Sequence, residues 1–372
     1  FAAATRSNDL TFTPEELFVS QDPTAQMLNQ FEAAHLLTEA GIARPWLVYA
    51  VNIVLLGEAY IPWVTSAQSV ASVATGLANN PGIAGELLAE PGAVEMLLRR
   101  STLLDDDLAS AVGDALVAAA VAASDRATAA RVAAAMIEAI GGKGVRPGAG
   151  VLPGVALVGG TYLDEIAWSL VGWENDSSYR PRFEGERDAA RRFMLETIRN
   201  TNAFATILAA TGVWISRVTS AEEPATLDEY TKKVLNRADD IGVLLATIIG
   251  ADRIIGVESA EEQAHRQAML LDTIDGVLGM AAHLTGPGAV VIQPTADLFK
   301  DRAAALLDTE PIAAATARND AFREVVLDEL RAALHEVIVD LELSGPDADL
   351  DPETLAEQQG AALMQILATI YA

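Results

Sequence analysis

The sequence predicts an all-α fold, a multi-helix bundle of two packed helical subdomains. Three observations predict it. Hydrophobic residues make up 51% of the 372 residues and aromatics only 5%, and much of the excess is alanine, the strongest helix former. Apolar residues recur at helical spacing in one segment after another. Few segments alternate apolar and polar residues as a half-buried strand does, so no sheet is expected. A chain of this length suits two domains or one large helical body, and it buries an ample core without covalent staples.

Residues 1–12 carry little pattern and are expected to form a flexible arm. Thr13-Pro14-Glu15-Glu16 starts a helix: Thr13 caps it, Pro14 suits the first helical position, and the glutamates suit the positive end of the helix dipole. This helical stretch runs through His35 and Leu37 and ends near Gly41. Residues 46–78 are apolar almost throughout with Pro62 among them, which predicts a buried helix that is kinked or broken. Pro81-Gly82 and Pro91-Gly92 divide short helices, each followed by an apolar pair, Leu87-Leu88 and Leu97-Leu98. The repeat is shorter than the periods of about 20 residues at which solenoids begin.

Leu104, Leu108, Val112, Leu116 and Ala119 place a helix within 103–123, and Ser124-Asp125 opens an alanine-rich helix reaching Ile140. GGKGVRPGAG, residues 141–150, is a loop. Residues 151–173 are apolar and glycine-rich, and the polar run 174–182 breaks the pattern. The main boundary is placed there, giving an N-terminal subdomain with its arm over 1–176 and a C-terminal subdomain over 177–372. In the second half, 184–219 reads as one long helix or two. Thr226 with Glu229 and Ser259 with Glu262 form capping boxes that each open a helix. Residues 275–299 read as a helix, a Gly-Pro turn and a connector. Phe322, Val326, Leu330, Leu334, Val337 and Leu341 form one apolar stripe, and a last helix starts at Asp351 and Pro352.

The formal charge is −27, from 52 acidic and 25 basic residues. Such a surface repels phosphates and anionic headgroups, so no nucleic-acid partner is expected. Cysteine is absent, which excludes disulfides, thiol nucleophiles and thiolate metal sites and leaves the compartment open, cytoplasmic or secreted. Phe1 in place of Met leads us to expect a processed or truncated chain. The longest apolar stretch near the start, 46–56, falls short of the roughly 20 residues a membrane-spanning helix needs, so no transmembrane helix is expected there.

The sharpest enzymatic reading rests on Glu32-x-x-His35 and Glu262-x-x-His265. That spacing puts carboxylate and imidazole on one helix face, and helical-bundle di-metal oxidoreductases use two such pairs. The competing reading has Glu262 closing a capping box and the histidines on the surface. Asp347, Asp349, Asp351 and Glu353 alternate like the start of a calcium loop, but Pro352 and Gln358 stand where that loop needs glycine and glutamate. Asp105-Asp106-Asp107 resembles the aspartate-rich motif of helical prenyl-transferring enzymes but lacks its later aspartate, and Asp239-Asp240 fails likewise. GGKG at 141–144 lacks the ending and the preceding strand of a phosphate loop, and no Gly-x-Ser-x-Gly elbow occurs. Arg180, Arg182, Arg187, Arg191, Arg192 and Arg199 form the one basic concentration. The first five are the candidate partner-docking residues, with local pairing to Glu184, Glu186, Asp188 and Glu196 as the alternative. The apolar segments 150–173 and 274–299 read either as close-packed core helices or as hairpins that enter a membrane.

LLRRSTLLDDDLASAVGDALVAAAV (97–121), RNTNAFATILAATGVWISRVTS (199–220) and HRQAMLLDTIDGVLGMAAHLTGPGAVVIQPTADLF (265–299) together resemble a group of actinobacterial proteins of uncharacterised function. That group is found near type VII secretion systems and their small Trp-x-Gly helical-hairpin substrates. The resemblance covers most of 75–372 and rests on composition more than on invariant motifs. It implies an all-helical body, a scaffold or delivery portion of a secreted protein, and no catalytic residues. Residues 1–74 lack the Trp-x-Gly turn, since Trp46 is followed by Leu47 and Val48. The expectation is a non-enzymatic interaction protein with a protein partner and no cofactor. A di-metal oxidoreductase and a membrane-translocating domain are the alternatives.

Overall fold

In the computed structural model the described residues are 2–7, 36–55, 67–171 and 182–219, with isolated positions between 10 and 16 and between 243 and 269. The fold is an all-α helical bundle, and no strand occurs among the described residues. The chain divides into two compact units, Phe1–Ile207 and Leu208–Ala372.

Residues Ala2–Ser7 form a short helix, α1, where the sequence suggested an arm. Its side chains hold it down: Thr5 accepts a hydrogen bond from the Ala43 amide at 3.1 Å, and Arg6 donates to the Gly41 carbonyl. Tertiary anchoring replaces the missing amphipathic pattern. The helix start at Thr13 is as expected: the Glu16 amide donates to the Thr13 hydroxyl at 3.3 Å, and the Thr13 amide donates to the Glu16 carboxylate at 2.8 Å. This is a reciprocal capping box.

Gly41 ends the next stretch with φ +75°, a left-handed conformation that favours glycine. Its amide donates to Asn80 Oδ1 at 2.6 Å, and the Asn80 amide group donates to the Gly76 and Glu39 carbonyls at 2.7 and 3.1 Å. One buried asparagine thereby joins two turns. Helix α2 (Arg44–Ala50) continues as a π-helical turn, Val51–Leu55, and α3 covers Ala67–Ala78. The Pro-Gly steps divide α4 (Pro81–Leu88) from α5 (Ala93–Ser101) as the sequence suggests. Pro81 sits in the first turn of α4, and Gly92 caps α5 with φ +83°.

Helix α6 (Asp106–Val117) is capped by Asp105, which accepts from the Leu108 amide at 2.9 Å, and α7 (Arg126–Ile137) is capped by Asp125, which accepts from the Ala127 amide at 3.1 Å. Both helices continue as π-helical turns, Ala118–Ala122 and Glu138–Gly142. A 3-10 turn, Ala149–Val151, leads into α8 (Leu152–Thr161), followed by α9 (Leu163–Val171), α10 (Arg187–Thr197) and α11 (Thr201–Thr219). The stretch 184–219 is therefore two helices.

Helix α6 is the axis of the first unit and packs on α3 and α8. Backbones approach closely where α6 meets α8: a Cβ on Gly113 would lie 3.1 Å from the Val151 carbonyl oxygen and 3.4 Å from Gly154 Cα. The segment 151–171 is thus a pair of core helices. Helix α10 packs on the π-helical turn Glu138–Gly142 and on α9, burying Ala189, Ala190, Phe193, Met194 and Thr197. The sequence places its division near residue 176; the boundary between the two compact units falls within α11, and α10 lies in the first of them. Among the described residues, no helix is long and apolar enough to cross a membrane.

Candidate functional site

The arginine-rich region separates into two parts. Arg180 lies outside the described residues. Arg182 is an internal brace. Its Nε donates to Glu165 Oε1 at 2.6 Å and its Nη2 to Glu165 Oε2 at 3.3 Å, a two-pronged ion pair on a carboxylate only 1% exposed. Arg182 Nη2 also donates to the Thr161 carbonyl at 3.4 Å, and its guanidinium lies 4.3 Å from the Tyr162 ring centroid. The Tyr162 hydroxyl donates to the Ala120 carbonyl at 2.8 Å, at the π-helical end of α6, and Phe183 packs 5.6 Å from the Tyr162 ring. Burial pushes the Tyr162 phenol above its ordinary pKa, and the Arg182 charge opposes that shift. The Gly185 amide donates to the Ser169 hydroxyl at 3.1 Å, fixing the lead into α10.

Glu165 and Tyr162 do not stand out in the sequence as site residues. The available signal was a carboxylate among the apolar residues of 151–173, with tyrosine and serine near it. A charge on a buried helix face requires a partner, and the nearest basic residues downstream are Arg180 and Arg182.

Arg187, Arg191 and Arg192 lie exposed on α10. Arg192 Nε donates to the Asp188 carbonyl at 3.3 Å. Arg187 and Arg191 have no hydrogen-bond or ion-pair partner among the described residues. Local pairing occurs at the far end of the helix instead, where Glu196 meets Arg199 at 2.8 Å and Arg146 at 3.5 Å.

Of the metal candidates, Glu32 and His35 lie outside the described residues, as do Asp347, Asp349, Asp351 and Glu353. Glu262 is helical and half-buried, and His265 is helical and exposed. Among the described residues, no group of three or more histidines and carboxylates gathers where it would hold a metal ion.

The aspartate triplet is structural. Asp105 caps α6, Asp106 accepts from the Gly150 amide at 3.1 Å, and Asp107 lies exposed in the first turn. The GGKG region is fastened to its neighbours. Lys143 Nζ lies 2.8 Å from Glu95 Oε2, and the Gly148 amide donates to Ser101 Oγ at 3.2 Å. Lys143, helped by Arg99, holds the Glu95 carboxyl below its ordinary pKa, and Glu95 in turn raises that of Lys143.

Comparison with protein-family models, with curated proteins and with solved structures gives no match. The polar geometry of the chain is therefore the ground for a functional reading.

Proposed function

We propose that the chain is a non-enzymatic helical scaffold that works through its outer helix faces, as the scaffold or delivery portion of a secretion-associated protein. One observation carries the reading: among the described residues, carboxylates and hydroxyls of the kind that do chemistry are engaged in holding helices together. Asp105 and Asp125 cap helices, and Asp106 and Ser101 fasten the 143–150 loop. Glu165, Tyr162 and Ser169 anchor the segment before α10. Glu165, Tyr162, Ser101 and Ser169 are in addition buried, out of reach of a substrate in solution. The secretion context comes from the resemblance of 97–121, 199–220 and 265–299 described above.

The test is elemental analysis of purified protein alongside pull-down from a secreting host. The expected outcome is a metal-free protein that recovers a stoichiometric protein partner. Iron or manganese near two per chain, lost on His265→Ala, would overturn the reading in favour of di-metal chemistry.

A further inference from the structure

We infer that the exposed face of α10 docks an acidic helical segment of another polypeptide, one carrying carboxylates a helical turn apart. The inference rests on the scaffold reading and names the partner chemistry of one of its faces. Helix α10 is held from below by Ala189, Ala190, Phe193, Met194 and Thr197, so its outer side chains project from a fixed base. Those outer side chains are Arg187, Asp188, Arg191 and Arg192, three cations to one carboxylate, with Leu195 half-buried one turn on.

Two features mark the arginines. Arg187 occupies the first turn of α10, where the helix dipole disfavours a cation. Among the described residues, Arg187 and Arg191 also lack a hydrogen-bond or ion-pair partner, in a chain that carries 52 carboxylates. Arg44, Arg99, Arg182 and Arg199 each meet a glutamate, while Arg126, exposed in the first turn of α7, shares the unpaired state among the described residues but has no second unpaired arginine one turn on. A cation placed against its local preference and left uncompensated is poorly explained by stability.

The spacing indicates the occupant. Arg187 and Arg191 are one turn apart, so their heads match carboxylates at i and i+4 on a facing helix, each taken by a planar guanidinium fork. Leu195 supplies an apolar contact beside them. A nucleic acid fits less well, because its continuous phosphates would run from this small patch onto a chain of net charge −27. A second copy docking through the same face would set arginine against arginine.

The experiment is fluorescence anisotropy of the full chain with a labelled Ala/Leu-based helical peptide bearing glutamates one turn apart. A glutamine version of the peptide, a single-stranded oligonucleotide and phosphatidylserine vesicles serve as competitors. The expected result is binding of the glutamate peptide that weakens with salt. It should fall roughly tenfold or more in R187E/R191E and stay unchanged in R44E, with circular dichroism confirming the fold of each variant. Equal binding by R187E/R191E, or tighter binding of oligonucleotide or vesicle, overturns the inference. So does self-association that R187E/R191E abolishes, which would make the occupant a second copy. Loss of this inference alone, with the protein still metal-free and still holding its partner, leaves the scaffold reading standing.

Discussion

At the scale of the residue, Glu165 shows how a charge is kept inside a helical core. Removing a carboxylate from water costs several kcal/mol, and only a close, well-oriented cation offsets it. Arg182 provides that geometry while its own side chain stays 38% exposed, so the pair straddles the surface. Arg182→Met should leave the carboxylate buried without its counter-charge. The expected loss is about 3 kcal/mol, at the low end for a buried pair because water reaches the arginine side. For a unit of this size that is roughly 6–12 °C in thermal midpoint. The double variant Arg182→Met with Glu165→Leu should regain most of it, since an apolar pair tolerates burial. Differential scanning calorimetry of the two variants decides: equal midpoints would mean that the ion pair contributes nothing specific. This brace was not legible in the sequence, because its partners are joined by folding and not by helical spacing. The caps at Thr13 and Asp125 were legible, because their chemistry is local.

At the scale of the element, glycine position separates tolerated from forbidden change. Gly82 lies exposed early in α4, and an added Cβ there meets nothing within 4 Å. Gly82→Ala should stabilise by about 0.5–1 kcal/mol, through helix propensity and a less flexible unfolded chain. Gly141 lies in the π-helical end that carries α10, and its Cβ would overlap the Ala189 carbonyl. Gly141→Ala should destabilise by about 1–3 kcal/mol as α10 is pushed outward. Urea denaturation of both variants gives the check, and a neutral Gly141→Ala would show that α10 is loosely seated. Helix existence and order over 81–140 were readable from the Pro-Gly steps, the caps and the apolar spacing. The π-helical ends were not, because alanine-rich turns such as Ala118–Ala122 carry the same composition whether they close α or π hydrogen bonds. The fastening of Arg182 and Gly185 to α9 was not legible either, because in the sequence the polar run 174–182 reads as a linker.

At the scale of the whole molecule, net charge and local pairing act in opposite directions, and their balance can be measured. Exposed pairs such as Arg44–Glu86 and Arg99–Glu95 each contribute about 0–1 kcal/mol and weaken in salt. A formal charge of −27 repels itself across the whole body, and that repulsion is also screened, as the Debye length falls from about 30 Å at 0.01 M to about 8 Å at 0.15 M. Because carboxylates outnumber cations 52 to 25, repulsion should dominate, and the thermal midpoint at pH 7 should rise with sodium chloride. A midpoint that falls with salt would assign the stability to the ion pairs instead. The pH dependence follows with its signs. Glu95 and Asp125 have lowered pKa values in the fold, Glu95 through Lys143 and Arg99, Asp125 through the Thr128 hydroxyl and the Ala127 amide. Their contribution is complete above the ordinary carboxylate pKa of about 4 and is lost as pH falls through the lowered values. Lys143 is raised by Glu95, so its contribution holds below about pH 10 and is lost as pH rises through the folded value. Tyr162 is raised by burial, so the unfolded chain ionises first above about pH 10 and stability falls in the same direction. Between these limits, lowering pH from 7 toward about 5 begins to protonate the excess carboxylates and relieves the repulsion. The midpoint should therefore peak on the acidic side of neutrality, and the gain from added salt should shrink there. Circular-dichroism melts across that range, at low and at physiological ionic strength, measure both effects in one experiment.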